Sequence, residues 1–398
     1  MPELVINISN VVSPLCYSLI RLEPYTTCIY GCVYCYARWY RRESDIVRPR
    51  VNAVKEFSIY ARKIYRRDLL PIPARLSTLI DPFIPHEELF KTSLSLLRIA
   101  LDYEYPIIIN TKSILLLRDP WRRVIERLAD RGLVSIQISV STLDQRISSS
   151  LEPYASTPSE RLSMAREFSS IGIPIAVRLS PYIPRISIYP SIEELANIFK
   201  DHGVRHVVVE VLRLESSSIE SFLRGLGLDI DVESYSLRIV EGLTPISRIS
   251  LGSRIDEYIA LSKTLARYGI GFATCKEGLY SIHTAYDCCG MYLLKRSIAY
   301  RATLMEIYRI AREWNGIPLE KIGDAMDILL KQGYLVGEKL RLYPKRVSKP
   351  LKNHEKKLLR VLKSRDMVIH IAPSLDIVDG RIIARDIDDT IKTVSRPR

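Results

Sequence analysis

The sequence predicts an α/β protein: a partial (β/α)6 TIM-like barrel followed by a smaller, basic α+β region. Three observations carry this. Strand-like apolar runs alternate with amphipathic helical segments from about residue 17 to about residue 215. The runs are nearly continuous in Val and Ile, as parallel strands covered on both faces should be. Beyond residue 300 the pattern gives way to helices and dense positive charge.

Taken in order, the strands are expected at 18–22, 75–80, 105–110, 133–140, 173–179 and 204–212. Helices are expected between them at 51–65, 86–100, 120–131, 158–171 and 191–202. Repeated βαβ units imply a parallel sheet whose chemistry sits at the C-terminal ends of its strands. Residues 216–300 are less regular, with a helix at 254–268 and a short strand at 271–274 leading into Cys275. Further on, 302–314 and 319–332 read as helices, and 334–343 as a hairpin turning at Gly337-Glu338. Helix, helix, hairpin resembles a winged helix. The expected organisation is therefore a barrel over 1–240, a cysteine-containing extension over 241–300, and a basic winged-helix-like region over 301–398.

No apolar run in the 398 residues approaches the ~20 needed to span a membrane, so no membrane partner is expected. Residues 1–13 carry Glu3 and no basic stretch, unlike a signal peptide, which points to a cytoplasmic protein. Only three glutamines appear among many Ile, Tyr and Arg, a bias that fits a thermophilic source. The net charge is +13, and residues 291–398 hold 23 Lys/Arg against 13 Asp/Glu. Its densest part, 339–363, has ten basic residues and a single acid, Glu355. Such a stretch favours phosphate backbones, so nucleic acid is one expected partner. A solvated, self-repelling surface is the other reading.

Seven cysteines fall at 16, 28, 32, 35, 275, 288 and 289, an odd number in close clusters that suggests metal or redox chemistry. Cys28, Cys32 and Cys35 have C-x3-C-x2-C spacing in a loop directly after the first predicted strand. Three thiolates on one tight loop can ligate three irons of a [4Fe–4S] cubane and leave the fourth open. Gly31 lets that loop bend. A structural zinc site is the alternative, but zinc takes four closed ligands, and the nearest histidine is His86.

The spacing, Tyr34 just before the last cysteine, and the position after the first strand resemble the radical S-adenosylmethionine superfamily. The order of further segments is similar to the branch related to spore photoproduct lyase, or DNA repair photolyase-like proteins, over roughly residues 20–215. These are Cys35-Tyr36-Ala37-Arg38, Asp81-Pro82-Phe83, Thr111-Lys112-Ser113, Ser139-Val140-Ser141-Thr142, Leu151-Glu152-Pro153 and Arg178-Leu179-Ser180-Pro181. The resemblance implies S-adenosylmethionine on the open iron, cleaved by one electron to a 5′-deoxyadenosyl radical that abstracts hydrogen from a substrate. It implies that Tyr34 and Tyr36 relay the radical, and that ferredoxin or flavodoxin supplies the electron. Lys112, Ser141, Thr142 and Arg178 lie at successive strand ends, where an ammonium, two hydroxyls and a guanidinium suit the cofactor's carboxylate and ribose. The chain departs from the lyase in lacking its hydrogen-donating cysteine, since residues 74–80 contain none, and it also lacks a Gly-Gly-Glu pattern. Thymine-dimer reversal is therefore not carried over, and the lyase type stays open.

Cys275, Cys288 and Cys289 form a second group, read as an auxiliary Fe–S cluster, a hydrogen-donating or redox thiol, or buried small hydrophobes. The substrate classes left open are nucleic acid, and a protein, peptide or small molecule. A non-catalytic Fe–S sensor that binds nucleic acid is the rival from another class.

Overall fold

The computed structural model describes residues 4–6, 14–18, 20–37, 46–235 and 245–394. Arg38 and the expected boundary at 240/241 lie outside the described residues. Among the described residues the main sheet has eight strands. Strands β1 (Leu4–Ile6), β2 (Ile20–Leu22), β3 (Ala74–Leu76), β4 (Ile107–Thr111), β5 (Val134–Val140), β6 (Ile175–Tyr182) and β7 (Val204–Val211) lie in sequence order. A small antiparallel sheet follows, built from β8 (Arg213–Glu215), β9 (Val232–Ser234) and β10 (Ile246–Ile249) in the order β8-β10-β9. Then β11 (Gly271–Thr274) returns to the main sheet and pairs in parallel with β7. Among the described residues only β1 runs antiparallel in this sheet, so the half-barrel has seven parallel strands there, one more than the six expected. The short strand before Cys275 was legible, but its place beside β7 was not.

The helices α1 (Val51–Arg66), α2 (Glu87–Phe90), α3 (Thr92–Asp102), α4 (Trp121–Asp130), α5 (Gln145–Leu151), α6 (Pro158–Ser170) and α7 (Ile192–Asp201) connect these strands. Helix α1 buries Ala53, Phe57, Tyr60, Ala61 and Ile64, a 3.6-residue stripe. Thr157 and Glu160 close a capping box at the start of α6, and Pro158 occupies its first turn. The single helix expected over 86–100 is broken, because Lys91 takes a left-handed conformation between α2 and α3. Helices α8 (Ile219–Gly225) and α9 (Ile255–Arg267) follow, the latter on the helical side of β11.

Side chains alternate across a strand, and this period sorts the sheet's residues into two cores. Ile107, Ile109, Ile136, Ile138, Val177, Leu179, Val207 and Val209 face the helices and belong to the larger core. Their neighbours Ile108, Val208 and Ala273 belong to a second core, shared with the C-terminal region. The remaining inward positions include Arg75, Gln137, Arg178 and Glu210, all buried. The inner face of the barrel is therefore largely polar, not apolar as the continuous runs suggested.

The C-terminal region contains α10 (Leu304–Glu313), β12 (Ile317–Pro318), α11 (Ile322–Lys331), α12 (Lys345–Val361), α13 (Arg365–Ile371), β13 (Leu375–Val378), β14 (Arg381–Ala384) and α14 (Ile387–Val394). The hairpin expected at 334–343 is absent; Gly337–Leu342 is a 3-10 helix. The hairpin of this region is β13–β14, joined by Asp379-Gly380 and paired to β12. Tyr17 donates to Glu306 at 2.6 Å, and Gly278 approaches Ala372 so closely that a Cβ would lie 2.3 Å from its Cα. At φ +64° that position suits glycine.

Burial has a measurable cost in acid. His206 is fully buried, its ring nitrogens 3.2 Å from the Tyr292 hydroxyl and 3.4 Å from the Cys288 carbonyl oxygen. Burial, reinforced by Arg178 and Arg75, pulls it down to about 4, against an ordinary 6.5. The unfolded chain therefore takes up this proton first. The stability that neutral His206 contributes is whole above pH 6.5 and lost as pH falls towards 4, by up to about 3 kcal/mol. Urea unfolding of wild type and His206→Gln at pH 7.5 and 4.5 checks this. A pH dependence identical in the two proteins contradicts it.

Candidate active site

The loop after β2 carries Cys28, Cys32 and Cys35, none in a disulfide and all partly exposed, whereas Cys275, Cys288 and Cys289 are buried. Its backbone is pinned from several sides. Cys35 N donates to Cys32 O at 3.1 Å, Val33 N to Leu151 O at 3.1 Å, and Tyr154 N to Tyr30 O at 3.3 Å. Gly31 has φ +64°, and its missing Cβ would sit 3.0 Å from the Tyr154 ring. Tyr30 donates to Phe83 O at 3.0 Å, Tyr36 to Thr78 O at 2.8 Å, and Tyr34 to the Glu152 carboxylate. Tyr34 and Tyr36, expected as radical relays, thus hold the loop to the end of α5 and to the segment after β3. Burial, then the Asp81 carboxylate, pushes the Cys28 thiol up to about 11; burial pushes Cys32 up to about 12 against the pull of Lys112. Each of these two thiols feels Cys35 electrostatically, so the three share one locality.

Around this loop the strand ends converge. Lys112 follows β4; its Nζ donates to Ser139 Oγ at 2.5 Å, lies 3.8 Å from Glu152 Oε1 and sits 5.9 Å from the centre of the Tyr34 ring. Glu152 also accepts from Arg161 at 2.5 Å. Burial works against its charge, but Lys112, Arg161 and the Tyr34 hydroxyl hold its carboxyl below the usual range. Asp81 anchors the same edge, accepting from Lys112 N at 2.6 Å and Thr111 Oγ1 at 2.9 Å. Arg178 and Glu152 do not pair with each other. Arg161 takes Glu152, and Arg178 instead meets Glu210 at 2.5 Å.

Glu210 accepts from Arg178, from Arg213 and, at 2.7 Å, from Lys276. Burial opposes its ionisation, and the three cations hold it ionised far below the carboxylate range. Arg213 and Lys276 lie 5.4 and 5.7 Å from the Tyr36 ring centre, which places this group beside the cysteine loop. Thr142 is turned towards the 183–187 loop, donating to Ile186 O at 2.7 Å. Ser141 Oγ and Arg178 Nε are buried and find no partner among the described residues. Such orphaned donors fit a ligand rich in acceptors. Glu210, Arg213 and Lys276 were missed from the sequence as functional residues. A charge inside Val-Val-Val-Glu-Val, and a lysine directly after the strand-terminal Cys275, were the available signals.

The second cysteine group lies on the barrel's inner face. Cys289 Sγ is 4.0 Å from Cys288 Sγ and accepts from Arg75 at 3.7 Å. The Cys288 hydrogen bond, then Arg75 and Arg178, draws the Cys289 thiol down to about 7. Burial raises the Cys16 thiol, and Cys289 and Cys275 raise it further, so Cys16, unplaced in the sequence, joins this group. Among the described residues no three His, Cys, Asp or Glu side chains converge on a single metal ion. A cubane asks for something else, one thiolate on each of several irons.

No protein-family model matches the chain. A curated relative, the uncharacterized protein ORF301 of Acidianus two-tailed virus, is 26% identical over 208 residues, covering 48% of this chain and 67% of the viral protein. Among solved structures the chain is similar to spore photoproduct lyase complexed with dinucleoside spore photoproduct. There the identity is 17% and the TM-score 0.47, over 65% of this chain and 77% of that one. It is also similar to SuiB of Streptococcus suis bound to S-adenosylmethionine, with 17% identity and a TM-score of 0.43 over 68% of this chain and 56% of that one. No helix among the described residues is long and apolar enough to cross a membrane.

Proposed function

We propose that this chain is a radical S-adenosylmethionine enzyme. One observation carries the reading: three partly exposed cysteines, C-x3-C-x2-C, on a pinned loop at the C-terminal ends of a parallel half-barrel, beside Lys112. The donor set fits a [4Fe–4S] cluster held by Cys28, Cys32 and Cys35, with one iron lacking a protein ligand. When bound, that cluster supplies the single electron that cleaves S-adenosylmethionine. Lys112 offers an ammonium to the cofactor's carboxylate, and the unpartnered Ser141 Oγ and Arg178 Nε offer two further donors. Thr142 supports the same strand end through Ile186 O. Tyr36, between Arg213 and Lys276, keeps a cationic wall beside the loop. An external one-electron protein donor such as ferredoxin or flavodoxin completes the scheme.

Anaerobic reconstitution with iron and sulfide, then dithionite with S-adenosylmethionine, tests the reading by chromatography of 5′-deoxyadenosine. Its formation supports an enzyme. Iron uptake without 5′-deoxyadenosine favours the sensor. No iron uptake ends both. The juxtaposition of Cys16, Cys275, Cys288 and Cys289 with Arg75 and Arg178 favours a second thiolate-ligated centre as a finer reading, because Arg75 donates to Cys289 Sγ and forms no ion pair among the described residues. About four irons per chain, unchanged in Cys275→Ala, would eliminate it.

A further inference from the structure

Helix α12 contains Lys345, Lys349, Lys352, Lys356 and Arg360, all exposed. At 100° per residue these five positions fall within an arc of about 80° and run for about 23 Å along the axis. None forms an ion pair among the described residues, whereas Arg346, off the stripe, pairs with Glu56 at 2.8 Å. The helix's one acid, Glu355, lies to the side and accepts from Gly337 N at 2.8 Å. Lys363 extends the row just past the helix end. Like charges at i, i+4 repel, so the helix holds this face against its own electrostatics.

The opposite face is already committed. Val347 and Leu351 are buried in the larger core, Leu358 and Val361 in the second. The helix therefore has no apolar face left for a lipid surface, which an interfacial amphipathic helix requires. A straight row of cations suits a stiff polyanion, and about 23 Å covers roughly seven phosphates of one strand at 3.4 Å each. We infer that the exposed face of α12 docks the phosphate backbone of a double-stranded nucleic acid. Lysines and one arginine track charge and read no base edges, so the contact is independent of sequence. Helix α11, the second helix of the expected winged-helix-like region, exposes Asp324 and Asp327 and takes no part. The inference stands apart from the radical chemistry, and its failure leaves that reading untouched.

The test is fluorescence anisotropy of the full chain, cluster loaded, with a labelled random-sequence duplex of about 20 base pairs across a KCl series. Five phosphate contacts predict a log–log salt slope near −4.5, a roughly 500-fold loss of affinity between 50 and 200 mM. The triple variant Lys349→Gln, Lys352→Gln, Lys356→Gln should reduce the slope's magnitude by about 2.7 and keep 5′-deoxyadenosine formation without substrate unchanged. The control Lys321→Gln, Lys331→Gln, at the two ends of α11, should leave the slope as it is. A slope unaltered in the triple variant overturns the inference. So does binding to phosphatidylglycerol vesicles with none to duplex.

Discussion

Cys32→Ala is expected to abolish 5′-deoxyadenosine formation and to empty the chain of most of its reconstituted iron. Cys32 is the middle ligand of the proposed triad, and its carbonyl accepts from Cys35 N, so the turn presenting two of the three thiols passes through it. Two remaining thiolates cannot hold a cubane with a single open iron. The thiol is partly exposed, so its loss should cost the fold no more than about 1 kcal/mol. Unchanged thermal unfolding together with lost iron and lost product separates a missing ligand from a damaged fold. Product formation at the wild-type rate in Cys32→Ala would place the chemistry elsewhere, with the inner cysteines first in line. Cys289→Ala makes the contrasting case: that residue is buried against Cys288 and Arg75, and its loss should register in stability even if iron content is unaffected.

The parallel order of the strands was legible because nearly continuous apolar runs mark strands covered on both faces, and the sequence sets six of them between amphipathic helices. What closure does to the other face was not legible. Gln137 and Arg178 sit in strands rich in Ile and Val, yet their side chains meet Arg75 and Glu210 from neighbouring strands, partners that spacing alone does not reveal. The triad was visible because all three ligands lie within eight residues; the Glu210 cluster was not, because its members come from β6, β7, β8 and the end of β11. The misplaced hairpin has a local cause. Gly337-Glu338 is a weaker turn signal than Asp379-Gly380, where both residues take positive φ and Val378 pairs Arg381 across a two-residue loop. That Asp-Gly, flanked by Leu-Asp-Ile-Val and Arg-Ile-Ile-Ala, was the sequence's stronger hairpin mark.

Glu152→Ala should be the most destabilising single change at the site, by about 3–5 kcal/mol. Its side chain is fully buried, as is nearly all of Arg161, and Lys112 is 12% exposed. Removing the carboxylate leaves the two cations without their shared countercharge and the Tyr34 hydroxyl without its acceptor. Because the folded carboxyl is held below its ordinary value, this contribution is complete above the unfolded carboxyl's pKa and fades as pH falls towards the folded one. Denaturant unfolding at pH 7 measures the loss, and the double variant Glu152→Ala, Arg161→Met should recover part of it by removing one stranded charge. Equal destabilisation in the single and double variants would show that packing, not charge, is what Glu152 supplies. The same carboxylate joins Tyr34 of the cysteine loop to Lys112 at the end of β4. Glu152→Gln, which keeps the shape, should therefore weaken S-adenosylmethionine binding even where it folds.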